Sequence, residues 1–242
     1  LFLVVGFLAQ LVDGALGMAY GVVSSTVLLS FGVTPAAASA SVHAAELFTT
    51  AASAGSHVYH RNVNWRLFRQ LAPAGILGGM AGTYLLTSLD GNILRPYVAA
   101  YLSFMGIYIL YRAFRDSPTV QNHPASVVAP MGLIGGAMDA IGGGGWGPIV
   151  TSTLIGQGTT PRYAIGTVNL AEFFVTLTVT MTFLFTIGLE LWPIITGLVV
   201  GGVVAAPFAA LTTKYLPDKP LMIIVGAVVI LLSLRTLLAS LH

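Results

Sequence analysis

Long apolar runs dominate the chain, and short polar stretches separate them. Eight runs are long enough to cross a bilayer, which takes about 20 residues. They lie at 1–31, 35–59, 67–89 and 93–114 in the first half, and at 127–155, 161–188, 193–216 and 221–241 in the second. This pattern predicts an all-α integral membrane protein.

A polar segment separates the two groups of runs. It spans 116–124, reads DSPTVQNHP and contains two prolines, which is typical of a linker. We therefore expect a first transmembrane repeat at 1–115, the linker at 116–124 and a second transmembrane repeat at 125–242.

The two halves share a sequence pattern. Residues 13–50 align with 139–176 without a gap, at a constant offset of 126, and thirteen positions are identical. The identical pairs are Asp13/Asp139, Gly17/Gly143, Gly21/Gly147, Leu28/Leu154, Gly32/Gly158, Thr34/Thr160, Pro35/Pro161, Ala38/Ala164, Val42/Val168, Ala45/Ala171, Glu46/Glu172, Phe48/Phe174 and Thr50/Thr176. Recurring acids and glycines inside an apolar chain indicate a duplicated element with a polar centre.

The first run of each half has an Asp beside a glycine cluster near its middle. Each Gly costs a helix about 1 kcal/mol relative to Ala, so the four glycines at 142–145 should break it. One alternative is a single kinked span, which gives eight crossings and parallel repeats. The other is a broken or re-entrant helical hairpin followed by three transmembrane helices, which gives two inverted repeats.

Composition and charge refine this picture. Hydrophobic residues make up 56% of the chain and charged residues 7%, whereas soluble domains have about 25% charged residues. The chain has no Cys, which excludes disulfides and thiolate metal sites. Its ten cations are too few to indicate nucleic-acid binding.

The distribution of the cations favours the hairpins. With eight crossings, the cations divide six to four between the two membrane faces. With hairpins, only Arg95 and Arg235 lie outside and the other eight lie in the cytoplasm, as the positive-inside rule requires. We therefore expect a multi-pass protein of the cell's inner membrane with both termini on the extracytoplasmic side.

The glycine breaks form a candidate anion site. Irregular backbone at membrane depth survives only where it is packed in protein or lines a wet cavity, and the half-helix after each break directs N–H groups toward the break, which favours an anion. Alternatively, these glycines only allow close helix packing, as those between 75 and 82 should do. The candidate substrate-binding residues are Gly14, Gly17, Tyr20, Gly21, Ser24, His43, Gly142, Gly143, Gly144, Gly145, Trp146 and Asn169.

Four acidic residues complete the candidate site. Glu46 lies eleven residues after Pro35, or about 16 Å along a helix, which is near the bilayer midplane. Glu172 occupies the same place in the second copy. A carboxyl group there is a functional-site candidate, so we expect Asp13, Glu46, Asp139 and Glu172 to act in proton coupling or gating. Alternatively, the glutamates bond a broken helix end and the aspartates cap the second half-helices.

We predict no metal and no cofactor. His43 and Glu46 have the spacing of two metal ligands on one helix face, but the second copy has Asn169 in place of His43. The expected partners are a small anion and the lipid bilayer, without nucleic acid. A homodimer stays open, because the sequence does not give the oligomeric state.

Several motifs together resemble the TauE/SafE family of bacterial membrane transporters. They are the break from Asp13 to Gly17, the start from Gly32 to Pro35 and the Ala45–Glu46 pair, with second copies at 139–147, 158–161 and 171–172. The resemblance covers nearly the whole chain. It implies a secondary transporter that exports sulfite or a sulfonate by alternating access, driven by a proton or ion gradient. The first copy lacks the unbroken glycine run of the second, so the two half-sites need not contribute equally.

Two other functions stay open beside transport by a carrier. Intramembrane enzymes of the lipid-pyrophosphate phosphatase type also combine inverted repeats with buried glutamates. That chemistry needs a cation at the phosphate, and the predicted topology places no Arg at the midplane, so we expect no enzymatic activity. An anion channel would share the architecture and differ only in flux.

Overall fold

The computed structural model is helical throughout most of the residues that it describes, which are 1–16, 18–115, 125–157, 159–189, 191–215 and 218–240. The helices are α1 (Phe2–Leu16), α2 (Tyr20–Ser30), α3 (Pro35–Tyr59), α4 (Trp65–Ser88), α5 (Gly91–Arg112), α6 (Ala125–Gly142), a π-helical turn (Gly147–Thr151) that continues into α7 (Ser152–Gly156), α8 (Pro161–Thr186), α9 (Trp192–Tyr215) and α10 (Asp218–Ala239). The predicted linker at 116–124 lies outside the described residues.

Polar caps separate the long helices. Thr34 caps α3, with its hydroxyl accepting the Ala37 N–H at 3.4 Å, and Pro35 follows at the first helical position. Asn64 caps α4, because its Oδ1 accepts the N–H groups of Arg66 and Leu67. Asp90 caps α5 by accepting the Asn92 N–H at 2.8 Å. The predicted apolar runs therefore begin and end as separate helices.

The first run of each half is broken, as predicted. α1 ends at Leu16 and α2 begins at Tyr20, while α6 ends at Gly142 and the π-helical turn begins at Gly147. Gly143 and Gly144 have φ angles of 64° and 156°. Other residues rarely adopt this left-handed region, so the glycine run is what allows the chain to turn here.

Equivalent helices of the two halves pack in pairs and run antiparallel. The pairs are α3 with α8 and α5 with α10. In each pair, residues at later positions in the first helix contact residues at earlier positions in the second. The contacts are His43 with Phe183 and Ser53 with Asn169 in the first pair, and Gly106 with Ile230 and Leu110 with Gly226 in the second.

The half-helices α1 and α6 each pack against the opposite half of the chain. α1 lies parallel to α9, and α6 lies parallel to α4. In the second pair, Gly78 touches the Leu133 backbone and Gly82 touches the Ala137 backbone. The predicted packing role of the α4 glycines is thus confirmed, and the two halves interlock.

Each broken run enters and leaves the bundle at one end. The start of α6 lies beside the first turns of α4, since Gly132 contacts Leu71. α8, which follows α7, begins beside the α3–α4 connection, where the Asn64 N–H donates to Thr167 Oγ1 at 2.8 Å. We call this the Asn64 end.

The opposite end of the bundle is the Thr34 end. α3 and α5 begin here, and the α8–α9 connection lies here too, because Thr34 and Leu191 line one pocket. α2 ends beside α5, where Arg95 donates to the Leu29 carbonyl at 3.0 Å. α1 begins beside the start of α9, where Phe2 contacts Gly197. Thus α1 and α2 both meet this end, as α6 and α7 meet the other.

The outer surface suits a lipid environment. Among the described residues, three helical stretches are long and apolar enough to cross a membrane: Gly91–Arg112, Tyr163–Thr186 and Met222–Ala239. Large apolar side chains such as Leu77, Phe104 and Leu231 point outward and are more than half exposed. The buried apolar side chains instead form two clusters, one of which contains Tyr20 and the other Trp146.

Candidate functional site

The two helix breaks meet at one small cavity inside the bundle. Its volume is about 10 Å³, which is room for about one water molecule. Its lining residues are Asp13, Met18, Ala19, Tyr20, Gly21, Val22, Glu46, Asp139, Gly144, Gly145, Gly147, Pro148 and Glu172. The structure therefore brings together all four acidic residues of the predicted site.

Asp13 caps the second half-helix of the first half. Its Oδ1 accepts the Ala19 N–H at 2.7 Å and the Tyr20 N–H at 3.2 Å. A carboxylate is favourable at a helix N-terminus, because it satisfies N–H groups that have no partner within the helix and complements the helix dipole.

Asp139 makes the equivalent contact in the second half. Its Oδ1 accepts the Trp146 N–H at 3.0 Å, and its main-chain carbonyl accepts the Gly144 N–H at 3.1 Å. Several N–H groups of the breaks are thus directed at the protein's own carboxyl groups, and an anion at these positions would have to displace them.

His43 lies against the second oxygen of Asp139. Its Nε2 is 3.2 Å from Asp139 Oδ2, and both side chains are buried. On the other side of the ring, Nδ1 lies 2.9 Å from the Ser39 carbonyl. The Ser39 hydroxyl donates its proton to the Ala140 carbonyl at 2.6 Å, so it cannot also donate to His43.

These contacts require a proton between His43 Nε2 and Asp139 Oδ2. Since a carbonyl only accepts, the His43 Nδ1 must carry hydrogen. The Nε2 to Oδ2 contact then needs a second proton, held either by an imidazolium or by a carboxylic acid. The pair thus holds one proton that can shift between the two groups.

Side chains from three helices bond the last turn of α6 and the turn that follows it. Ser25 of α2 donates to the Gly143 carbonyl, Ser39 of α3 donates to the Ala140 carbonyl, and Tyr101 of α5 donates to the Gly144 carbonyl at 3.3 Å. These bonds hold the turn against α2, α3 and α5.

α2 crosses the same turn in backbone contact. A Cβ atom at Gly21 would lie 2.7 Å from Gly144 Cα and 2.9 Å from the Gly143 carbonyl oxygen. Real Cβ atoms do not approach other atoms so closely. Glycine at position 21 is therefore what lets α2 meet the turn.

The two glutamates face the cavity from α3 and α8. Glu46 is 5% exposed, and its Oε2 has no hydrogen-bond partner within the described part of the chain. Glu172 is partly buried and lines the same space. Every charged side chain that the described structure places on the lining is acidic. Glu46 thus leaves an unpaired oxygen beside the space between the breaks.

Comparison with known proteins places the chain among transporters. It matches the model of the family described as "Sulfite exporter TauE/SafE" over residues 2–236. The chain belongs to the TauE/SafE family. A relative from Bacillus subtilis (strain 168), described as "Probable membrane transporter protein YtnM", is 41% identical across 98% of this chain and 82% of its own length. No solved structure matches. The chain is therefore a membrane transporter.

Two further predicted residues of this TauE/SafE protein, Trp146 and Asn169, do not line the cavity. Trp146 is fully buried, donates its indole N–H to the Val168 carbonyl at 3.2 Å and packs against Gly75. Asn169 bonds Ser53 and the carbonyl of Ile165.

Other candidate substrate-binding residues lie in the helices or in the turn after α6. Gly142 packs against the Tyr101 ring, Gly143 forms the turn and Ser24 is buried in α2. Gly14 lies within α1. Gly17 lies outside the described residues.

Sequence reasoning did not find Tyr101. Its ring covers Gly142 and Gly145, and its hydroxyl bonds the turn. The position lies outside the aligned repeat, in an apolar run with several other tyrosines. The repeat therefore could not reveal it.

Proposed function

We propose that this TauE/SafE transporter is a multi-pass protein of the inner membrane that exports a small sulfur oxyanion, sulfite or a sulfonate, with coupling to protons. The observation that carries the proposal is the convergence of four carboxyl groups on one cavity between the two helix breaks. The substrate class follows the description of the family.

Proton coupling follows from the charges around the cavity. Four ionised carboxylates around a space of this size would repel one another strongly at low dielectric, and they would also repel an anion. Each proton that binds lowers both repulsions. Binding of protons and binding of the anion are therefore linked. Two groups can hold such protons. They are the contact between His43 and Asp139 and the unpaired oxygen of Glu46.

The membrane arrangement we propose consists of two inverted repeats, each a re-entrant hairpin followed by three crossings. The antiparallel packing of α3 with α8 and of α5 with α10 supports inversion, since parallel repeats would place equivalent helices in the same direction. Each half-helix pair enters and leaves at one end of the bundle. Transport then proceeds by rocking of the repeats around the central site.

The cations orient this arrangement in the membrane. By chain position, Arg95 and Arg235 lie toward the Thr34 end, and the other eight cations lie toward the Asn64 end. The positive-inside rule makes the Asn64 end cytoplasmic.

Uptake into proteoliposomes tests this function. Purified protein would be supplied with labelled sulfite, sulfate, thiosulfate and sulfoacetate, with protein-free liposomes as the blank. We expect saturable uptake of sulfite or of the sulfonate, and stimulation by unlabelled substrate on the opposite side. Flux without saturation or counter-transport would indicate a channel. If none of the four anions is transported, the proposed substrate class is contradicted.

A further inference from the structure

The two ends of the bundle correspond through the repeat but differ in structure. At the Thr34 end, a pocket of about 290 Å³ lies between the first turns of α3 and the α8–α9 connection. Small side chains, Ala36, Ala40 and Ser41, form its α3 wall, and Gly188 lies on the opposite wall. The pocket exists because these residues leave the space unfilled.

The equivalent place at the Asn64 end is closed. Here the first turns of α8 meet the α3–α4 connection, and the repeat matches Ala40 with Gly166 and Ser41 with Thr167. Gly166 lies so near Asn62 that a Cβ atom at position 166 would be 2.9 Å from the Asn62 Cβ. Thr167 is fully buried and accepts the Asn64 N–H at 2.8 Å.

The difference between the two ends is visible in two hydroxyl groups. Thr167 reaches across to the chain segment opposite it, which ties α8 to the α3–α4 connection. Ser41, its repeat equivalent, instead donates to the Ala37 carbonyl of its own helix at 2.7 Å. α3 therefore has no such tie through position 41.

A thin barrier separates the pocket from the central cavity. One turn inward from Ala40 along α3 lies His43, and one turn inward from Ile187 along α8 lies Phe183. The two rings are 6.3 Å apart between centroids, and His43 contacts Asp139, which lines the cavity. Along α3, His43 thus lies between Ala40, which lines the pocket, and Glu46, which lines the cavity.

We propose that the pocket at the Thr34 end is the outer mouth of the substrate path, and that the contact between Asn64 and Thr167 closes the equivalent inner mouth. The structure is then an outward-facing state, in which His43 and Phe183 still separate the pocket from the central cavity. In the opposite state the contact between Asn64 and Thr167 breaks, and the start of α3 closes against the α8–α9 connection. The inference rests on the proposed function, because it takes from it the membrane orientation and a solute that uses the path.

Single cysteines test the two mouths directly, since the chain has no cysteine of its own. Ala36→Cys places a thiol on the α3 wall of the pocket at a partly exposed position, whereas Ser41 on the same wall is 2% exposed. Thr167→Cys places a thiol at the closed position of the other end. Each variant would react with a membrane-impermeant maleimide in right-side-out and in inside-out vesicles without substrate, with labelling of the denatured protein as the reference. We expect Ala36→Cys to react from the outer face at least tenfold faster than Thr167→Cys reacts from either face. Equal rates, or faster labelling of Thr167→Cys from the inner face, would overturn the assignment.

A second variant tests the closing contact. Thr167→Val, added to Ala36→Cys, removes the acceptor for the Asn64 N–H while keeping the branched shape. We expect a shift toward the inward-facing state, seen as severalfold slower labelling of position 36 from outside. The control is Thr180→Val on the same helix, whose hydroxyl has no hydrogen-bond partner in the described part of the chain. An unchanged rate with Thr167→Val would contradict the role of the contact.

The two proposals fail in different ways. The labelling pattern needs no substrate, so it can hold even if none of the four tested anions is transported. Conversely, saturable transport of sulfite together with equal labelling of both positions would preserve the proposed function and exclude the assigned mouths.

Discussion

At the residue scale, the two aspartates have equivalent positions but different surroundings. Both accept N–H groups at the start of a half-helix. Asp139 also faces His43, whose repeat equivalent, Asn169, instead bonds Ser53. The duplicated caps therefore preserve the fold in both halves, while the shared proton belongs to the second half-site. This is a physical basis for the expected inequality of the two half-sites.

Two substitutions of Asp139 distinguish its role as a helix cap from its role in holding a proton. Asp139→Asn keeps an oxygen that can accept the Trp146 N–H, whereas Asp139→Ala removes it. Loss of a helix cap costs about 0.5–2 kcal/mol, and 1 kcal/mol lowers Tm by about 2–4 °C in a protein of this size. We therefore expect the Ala variant to melt a few degrees below the Asn variant, measured by thermal unfolding in detergent.

The same pair of substitutions at Asp13 is the control. Asp13→Ala should also melt below Asp13→Asn, because the caps are equivalent. The pH dependence of transport should change more with Asp139→Asn than with Asp13→Asn, since only the former alters the pair with His43. Equal melting of the Asn and Ala variants at both positions would contradict the capping role.

At the element scale, the crossing of α2 over the turn after α6 holds the two breaks together. The contact is backbone to backbone at Gly21, and hydroxyl groups from three helices secure it. A side chain at this crossing cannot be accommodated by rotation of a neighbour, because the neighbour is main chain.

Gly21→Ala should therefore destabilise the protein. Overpacking of a tight contact typically costs about 1–3 kcal/mol, so we expect a lower Tm and a lower yield of folded protein by size-exclusion chromatography. Gly55→Ala is the matched control, since Gly55 lies in α3 with nothing within 4 Å of the added atom. It should be neutral or slightly stabilising, as Ala favours a helix. A Gly21→Ala variant as stable as Gly55→Ala would contradict the close crossing.

The helices were more predictable from the sequence than their contacts. The predicted run 35–59 matches α3, because Thr34 and Pro35 are start signals that act locally. The break at 142–145 followed from glycine alone. The place of Trp146 did not, because its burial depends on Gly75 in another helix. Tyr101 was missed for the same reason, since its contact with the turn comes from the packing of α5.

The four acids were predictable because the repeat marks them twice. Their convergence required only that equivalent elements meet, which the structure shows at the cavity. The pairing of His43 with Asp139 was not predictable, because it joins a residue of one half to a non-equivalent residue of the other. A repeat alignment identifies equivalent residues in the two halves. It gives no information about contacts between residues that are not equivalent.

At the scale of the whole molecule, the start of α1 and the end of α10 lie toward the Thr34 end. Phe2 contacts Gly197 near the start of α9, and α10 runs antiparallel to α5, which begins at this end. The proposed orientation makes this end extracytoplasmic. Reporter fusions at either terminus should therefore be active outside the cytoplasm, and a fusion within 116–124 should report the cytoplasm. A cytoplasmic position for either terminus would contradict the proposed orientation.

The central claim is that protons and a sulfur oxyanion are carried through one acidic site. Its most direct test is uptake of labelled sulfite by proteoliposomes under an imposed pH gradient, acid outside in one preparation and acid inside in a second, with passive entry measured in protein-free liposomes. The wild type should accumulate sulfite beyond the passive level under one of these two gradients. The double variant Glu46→Gln with Glu172→Gln keeps the shape of both side chains, and it should lose gradient-driven accumulation. Full accumulation by that variant, in correctly folded protein, would contradict the account.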